Sequence, residues 1–432
     1  MYDDRRSNPL EHMYMAHLRI DARVLAATVI LGALASLAAA QPPAVPPAAA
    51  PAPGGRGGAR GPAVASPEVS SERRVTFRIF APRAESVTIN AGDIPGANQA
   101  PPFAKGENGV WEMTLGPLTP GAFRYVFIVD GVRTLDPVNT RTAESNTSMW
   151  SLFHIPGLDA QDAKPVPHGA VASVFYDSTV VKTLRRMHVY TPPGYESGKQ
   201  KYPVFYLLHG AGDTDDAWTS VGRAGFILDN LIAAGRMAPM IVVMPAGHQP
   251  SPAGAGAAVA PQAGAPAGPA PPPTVNPFTR EFVSDVMPYV EGHYRTLNDR
   301  AHRAIAGLSM GGSQTLDIAF RHLARFAYIG VFSSGATLGG GRGAAGTTAP
   351  TPPRPDWASV HAADLDNRNL KKGTRLVWFS TGVDDGLMSN TRSTVEMLRQ
   401  HGFAPELVES PGGHTWLNWR EYLVAFAPRL FR

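Results

Sequence analysis

The sequence predicts two folded domains in series: an all-β sandwich followed by an α/β domain with a mostly parallel sheet flanked by helices. Three observations carry this. Between Val75 and about Ile155 short apolar runs alternate with period two, separated by Gly, Pro and Asn clusters. From about His168 onward, apolar strands instead alternate with helical patterns. The chain has 432 residues, 44% hydrophobic and 17% charged, enough for two cores.

The N-terminal forty residues read as an export signal. Arg19 and Arg23 precede an apolar stretch from Val24 to Ala40, which ends in Ala38-Ala39-Ala40 before Gln41, an A-x-A type cleavage site. The stretch falls short of the ~20 apolar residues of a spanning helix, so cleavage before Gln41 and no stable membrane insertion are expected, with a periplasmic or secreted product. Met13 and Met15 are alternative starts, because Asp3, Asp4 and Glu11 are unusual ahead of a signal. Residues 41–69 are Pro, Ala and Gly-rich and read as a flexible linker. A low-complexity insertion at 249–273 lies inside the second domain, and another Gly-rich piece spans Gly339 to Pro355.

The sandwich is assigned to residues 70–157. Its strands are Val75 to Phe80, Ser86 to Ile89, Val110 to Leu115 and Phe123 to Val129. The set Phe77-Arg-Ile-Phe-Ala-Pro82, Gly109-Val-Trp-Glu112, Gly121-Ala-Phe-Arg-Tyr125, Val129-Asp-Gly131 and Leu135-Asp-Pro137 resembles the early-set domain of glycogen-branching enzymes and carbohydrate-binding-module family forty-eight, which implies an immunoglobulin-like sandwich. The resemblance allows Trp111 a place in a sugar platform. Strand alternation favours a core position for it, so the domain is expected to position its neighbour or shape a cleft entrance.

The α/β domain is assigned to residues 158–432. Its strands are Arg186 to Tyr190, Val204 to Leu208, Met240 to Met244, Arg303 to Leu308, Tyr328 to Ser333, Leu376 to Thr381 and Glu406 to Glu409. Functional residues in such sheets gather past the C-terminal strand ends. His209, Ser309, Ser334, Asp385 and His414 all fall there.

Ser309 lies in Gly307-Leu-Ser-Met-Gly311, a G-x-S-x-G element between an apolar strand and a helical stretch, the context of a nucleophile elbow. A serine hydroxyl is a weak nucleophile and needs an imidazole to take its proton, itself oriented by a carboxylate. Chain order in this arrangement is Ser, acid, His. Only His322, His361, His401 and His414 follow Ser309, and His414 alone sits in a glycine-rich loop after a strand, so it is the expected base. Asp384 and Asp385, in the loop after Leu376 to Thr381, are both candidate acids; Asp385 is preferred, with Asp384 exposed or capping the loop. The oxyanion donors are expected to be the amides of Met310 and Ala211. His209 precedes the serine and reads as a support for the Ala211 loop. Trp218, Trp416 and Trp419 are either acyl-pocket walls or packing; Trp218 and Trp416 are taken as candidate substrate contacts.

This half resembles the esterase D-like branch of α/β hydrolases, which includes feruloyl and acetylxylan esterases of carbohydrate esterase family one and enterochelin esterases. The signs are Val189-Tyr-Thr-Pro-Pro-Gly-Tyr195, Tyr202-Pro-Val-Phe-Tyr-Leu-Leu-His-Gly210, Asp216-Ala-Trp218, Gly307-Leu-Ser-Met-Gly-Gly312, Gly382-Val-Asp-Asp385 and Gly413-His-Thr-Trp416. The resemblance implies Ser309 as nucleophile, Asp385 as acid, His414 as base and Ala211 as an oxyanion donor. Combined with the front domain and export, it implies a feruloyl esterase acting on plant cell-wall xylan. Acetylxylan esterase and enterochelin-type esterase are the alternatives, and a glycan-binding protein with a decayed hydrolase is the non-enzyme reading. The expected partner is an esterified carbohydrate or other small ester.

Other classes are excluded by composition. The chain contains no cysteine, which removes disulfides, thiolate metal sites and a cysteine nucleophile. Basic residues occur as isolated pairs under a net charge of +4, with no stripe for nucleic acid. No metal cluster or dinucleotide fingerprint appears in the sequence, so no cofactor is expected. The sequence leaves the oligomeric state open.

Overall fold

A computed structural model describes residues 62–249, 276–336 and 356–432. The expected signal at 1–40, the linker through residue 61, the insertion from 250 to 273 and the 339–355 piece lie outside the described residues.

The β-sandwich has two antiparallel sheets. One orders Glu68–Val69, Val75–Phe80, Val110–Leu115 and Ala104–Lys105; the other orders Val87–Asn90, Gly121–Val129, Met149–Ile155 and Thr142–Glu144, with Val132–Thr134 added against Gly121–Val129. Alternation along the strands turns Phe77, Phe123, Tyr125, Phe127 and Phe153 inward, where their rings meet mostly edge to face. Trp111 belongs to this core; its indole donates to the Ala81 carbonyl at 3.0 Å. An aromatic so placed is no sugar platform.

The second domain holds an eight-stranded sheet. Its strands are β1 Ala170–Ser178, β2 Thr183–Thr191, β3 Val204–Leu208, β4 Ile241–Pro245, β5 Arg303–Leu308, β6 Tyr328–Phe332, β7 Leu376–Gly382 and β8 Glu406–Ser410, in the order β1-β2-β4-β3-β5-β6-β7-β8. Pairing is antiparallel for β1 with β2 and β2 with β4, and parallel from there on. The inner parallel strands β3 to β6 are buried throughout, which explains their continuous apolar sequences. Helices Ala224–Ala233 and Trp416–Phe426 close one face of the sheet. The helical segment from Pro277 to His293 and helices Met310–Arg321 and Met388–Gln400 close the other.

The structure adds strands in both domains that the sequence did not announce: Glu68–Val69, Ala104–Lys105, Val132–Thr134, Thr142–Glu144 and Met149–Ile155 in the sandwich, and β1 in the second domain. β1 is an edge strand whose exposed positions include Val171 and Phe175, so it lacks the polar alternation that announces a half-buried strand. The helical segment from Pro277 carries a π turn over Phe282–Val286. Among the described residues, no helix is long and apolar enough to cross a membrane.

Candidate active site

Ser309 stands at the junction between β5 and helix Met310–Arg321 with φ 53° and ψ −115°, outside the regions that side-chain-bearing residues favour. The turn is held because its neighbours leave no alternative. A Cβ on Gly307 would lie 2.4 Å from the Gly311 backbone, and one on Gly311 would lie 2.6 Å from the His209 carbonyl oxygen. The Ser309 amide donates to the Phe332 carbonyl of β6 at 2.9 Å. Strand and helix are thereby forced together, and the hydroxyl is left in the cleft.

The loop after β8 brings His414 to it. His414 Nε2 lies 3.0 Å from Ser309 Oγ, and Nδ1 lies 2.9 Å from Asp385 Oδ2. Asp385 comes from the loop after β7, its side chain 1% exposed, and its Oδ1 accepts the Leu387 amide at 2.8 Å. Burial pushes the Asp385 carboxyl up, but the bonds from His414 and Leu387 outweigh it and hold it below the usual range. Asp384 is exposed, and its amide donates to Gly412 at 3.0 Å, which ties the two loops together. Of the two adjacent carboxylates, only Asp385 reaches the imidazole.

Ala211 lies in the turn after β3, in the same cleft as Ser309. The Gly210 carbonyl accepts both His209 Nδ1–H at 2.8 Å and the Asp213 amide at 3.2 Å. Because a trans peptide points its C=O and N–H in opposite directions, fixing that carbonyl also fixes the direction of the Ala211 N–H. Met310 opens its helix, so its amide has no intrahelical acceptor. Among the described residues, neither amide is taken up by a backbone carbonyl. His209 Nε2 accepts the Gly247 amide at 2.9 Å. With one ring nitrogen donating and the other accepting, the neutral imidazole is required, and burial pushes its pKa down to about 4. His209 therefore supports the loop, as its place in the sequence suggested.

The cleft measures about 480 Å³, within the range of small-ligand sites. One wall carries Ser309, His414, Trp419 and the Gly210 to Asp213 turn; the other is made by the sandwich, through Arg124, Ser145, Thr147, Ser148 and Trp150. A somewhat larger cavity, about 530 Å³, lies on the sandwich around Arg78, Lys105 and Glu112, and touches none of the Ser309 group.

The expectation that Trp218 and Trp416 contact substrate is corrected by their burial. Trp218 is 0% exposed and donates to the Leu208 carbonyl at 3.1 Å; Trp416 is 2% exposed, packed edge to face between Trp218 and Trp419. Trp419 continues the series against the His414 ring, centroids 4.9 Å apart at 89°. Trp218 thus braces the end of β3, and Trp416 backs Trp419, which itself packs on the imidazole. Trp419 reaches the cleft, as does Trp150, whose ring centroid lies 5.8 Å from the Arg124 guanidinium and 4.6 Å from that of Arg133. No local pattern marked Trp150, because what makes it a wall residue is the docking of one domain on the other.

The family model described as "Putative esterase" matches residues 178–430, and that for carbohydrate-binding module 48 (isoamylase N-terminal domain) matches residues 63–142. The chain is 31% identical over 381 residues to the endo-1,4-beta-xylanase/feruloyl esterase of Xylanibacter ruminicola, covering 86% of this chain and 46% of that protein. It is 26% identical over 275 residues to endo-1,4-beta-xylanase Y of Acetivibrio thermocellus, covering 59% of this chain and 22% of that one. The chain thus spans less than half the length of these two relatives. In fold it is similar to the enterobactin esterase of Shigella flexneri, with TM-score 0.54 and 16% identity over 83% of this chain and 93% of that one. It is similar also to a feruloyl esterase module from Clostridium thermocellum complexed with sinapinate, with TM-score 0.51 and 23% identity over 67% of this chain and 96% of that one. The chain belongs to the esterase family of carboxylic-ester hydrolases, with a carbohydrate-binding-module-48 domain ahead of its α/β-hydrolase-type fold.

Proposed function

We propose that the chain is an exported serine esterase that cleaves hydroxycinnamoyl esters of plant cell-wall xylan through an acyl-enzyme on Ser309. The observation that carries the chemistry is the unbroken hydrogen-bonded series Ser309 Oγ, His414, Asp385, facing an open cleft. His414 Nε2 takes the proton of Ser309 as Oγ attacks the ester carbonyl, while Asp385, kept ionised, holds the ring and stabilises the imidazolium. The Met310 and Ala211 amides receive the negative charge that develops on the carbonyl oxygen. His414 then protonates the departing alcohol, and in the second half-reaction it activates the water that releases the acid.

The xylan assignment is supported by similarity to the xylanase/feruloyl esterase of Xylanibacter ruminicola. The apolar stretch before Gln41 supports export to the periplasm or beyond. The deciding experiment compares kcat/KM for methyl ferulate, an acetyl ester of similar leaving group, and a catecholate siderophore triester. Preference for methyl ferulate is expected. A strong preference for acetate moves the assignment to deacetylation, and a preference for the triester moves it to siderophore release.

A further inference from the structure

The turn that presents Ala211 is gripped from the sandwich. Arg124, on strand Gly121–Val129, reaches across the cleft floor and donates from Nη1 to Asp213 Oδ1 at 2.5 Å, while its Nε donates to Asp93 Oδ2 at 2.5 Å. Asp213 closes the turn, because its own amide is one of the two donors that orient the Gly210 carbonyl. The Asn146 amide of the sandwich donates to the Gly212 carbonyl at 3.1 Å, and Ser145 forms a β-bridge with Asp213. A second link runs from Glu144 through Arg186 to Asp215, just beyond the turn. Asp213 is 5% exposed, and the Arg124 side chain 13%. Burial disfavours the charge on Arg124, but its two carboxylate partners outweigh that and raise the guanidinium well above its ordinary value.

We infer that Arg124 is a positioning residue for ester hydrolysis, and that through Asp213 the sandwich domain sets the direction of the Ala211 N–H. This rests on the reading of Ser309 as nucleophile and Ala211 as an oxyanion donor. It assigns the front domain a part in the chemical step on any ester, including one too small to touch the sandwich. Oxyanion donors act only when aimed at the charge that develops in the transition state, so a tilted Ala211 amide costs turnover and leaves ground-state binding nearly intact.

The test uses the full chain with p-nitrophenyl acetate as substrate and an aryl trifluoromethyl ketone as inhibitor, whose tetrahedral adduct places an oxyanion against the same amides. Arg124→Met is expected to lower kcat by roughly 10-fold or more, raise the inhibition constant of the ketone by a similar factor, and leave KM within about twofold. Asp213→Asn keeps the backbone amide, breaks the ion pair from the other side, and should give the same signature; the double variant should be little worse than either single one. Arg124→Lys should restore part of the loss. Unchanged kcat, or a raised KM with kcat kept, overturns the inference, the latter because Arg124 would then be contacting substrate. Should Arg124→Met fail to fold, Arg124→Lys and Asp213→Asn decide by the same criteria. Phosphonate labelling of Ser309 in the wild-type chain checks the underlying reading separately, so its failure is distinguishable from failure of the Arg124 role.

Discussion

The two walls of the cleft are held by different kinds of force. On the α/β side, Ser309, Asp385 and His414 sit just past the ends of β5, β7 and β8, and parallel backbone pairing of β5 through β6 and β7 to β8 sets their spacing. On the sandwich side, Arg124 is joined to the facing turn by a part-buried ion pair, and Trp150 is flanked by guanidinium groups. Main-chain ladders use no side-chain atoms and so survive most side-chain substitutions, whereas an ion pair between domains is broken by one. The geometry of Ser309, His414 and Asp385 is thus fixed by fold topology, and the wall opposite is adjustable without disturbing it.

The largest effects should come from the first wall. Ser309→Ala is expected to lower kcat by on the order of 10⁶. Asp385→Asn should cost roughly 10⁴ in kcat by favouring the wrong His414 tautomer, with folding intact. Asp384→Asn, at an exposed side chain, should be mild. The reverse ranking of the two aspartates in steady-state assays would transfer the orienting role to Asp384.

Aromatic substitutions should divide the walls by kind of effect. Trp218→Ala removes a fully buried indole and should lower stability by about 3–5 kcal/mol in denaturant unfolding. Trp150→Ala, half-buried at the cleft, should leave stability nearly unchanged and raise KM for an aromatic or glycosyl ester. Equal unfolding losses for the two would contradict the division.

The last effect concerns pH. His209 is neutral in the folded state down to about pH 4, while in the unfolded chain it takes a proton near its ordinary value of 6.5. The unfolded state therefore binds more protons between those values, and stability falls as pH drops from about 6.5 to 4, by up to roughly 3 kcal/mol from this group. Asp215 and Asp317, both held down to about 2, act in a lower window, losing their contribution only as pH falls below about 4. His154 is also held down to about 4, so the wild type keeps some slope from it. His209→Gln should flatten the decline of unfolding free energy between pH 6.5 and 4.5; an unchanged slope would show that His209 is not held neutral.

What the sequence made legible follows the same division. Ser309 could be read because the elbow compresses its requirements into five consecutive residues, and His414 because triad order and a glycine loop left no rival. Asp385 could be narrowed to one of two, since which adjacent carboxylate turns inward depends on the loop that ties Asp384 to Gly412. Trp218 and Trp416 were misread because strand-end and loop positions do not state which way an indole points; here both point into the core beneath the cleft. Arg124 and Trp150 were invisible as site residues: Asp213, which Arg124 grips, is 89 residues away in the other domain, and Trp150 lines the cleft only because that domain faces it. Local pattern carries local geometry; the docked wall is a property of the pair of domains.

The most direct measurement of the account is covalent labelling. Treating the wild-type chain with a serine-directed fluorophosphonate and mapping the adduct by peptide mass spectrometry should give one modified residue, Ser309, with loss of esterase activity in proportion to labelling and slower labelling in Asp385→Asn. Complete inactivation with the adduct on another residue, or full activity with Ser309 quantitatively modified, would contradict it.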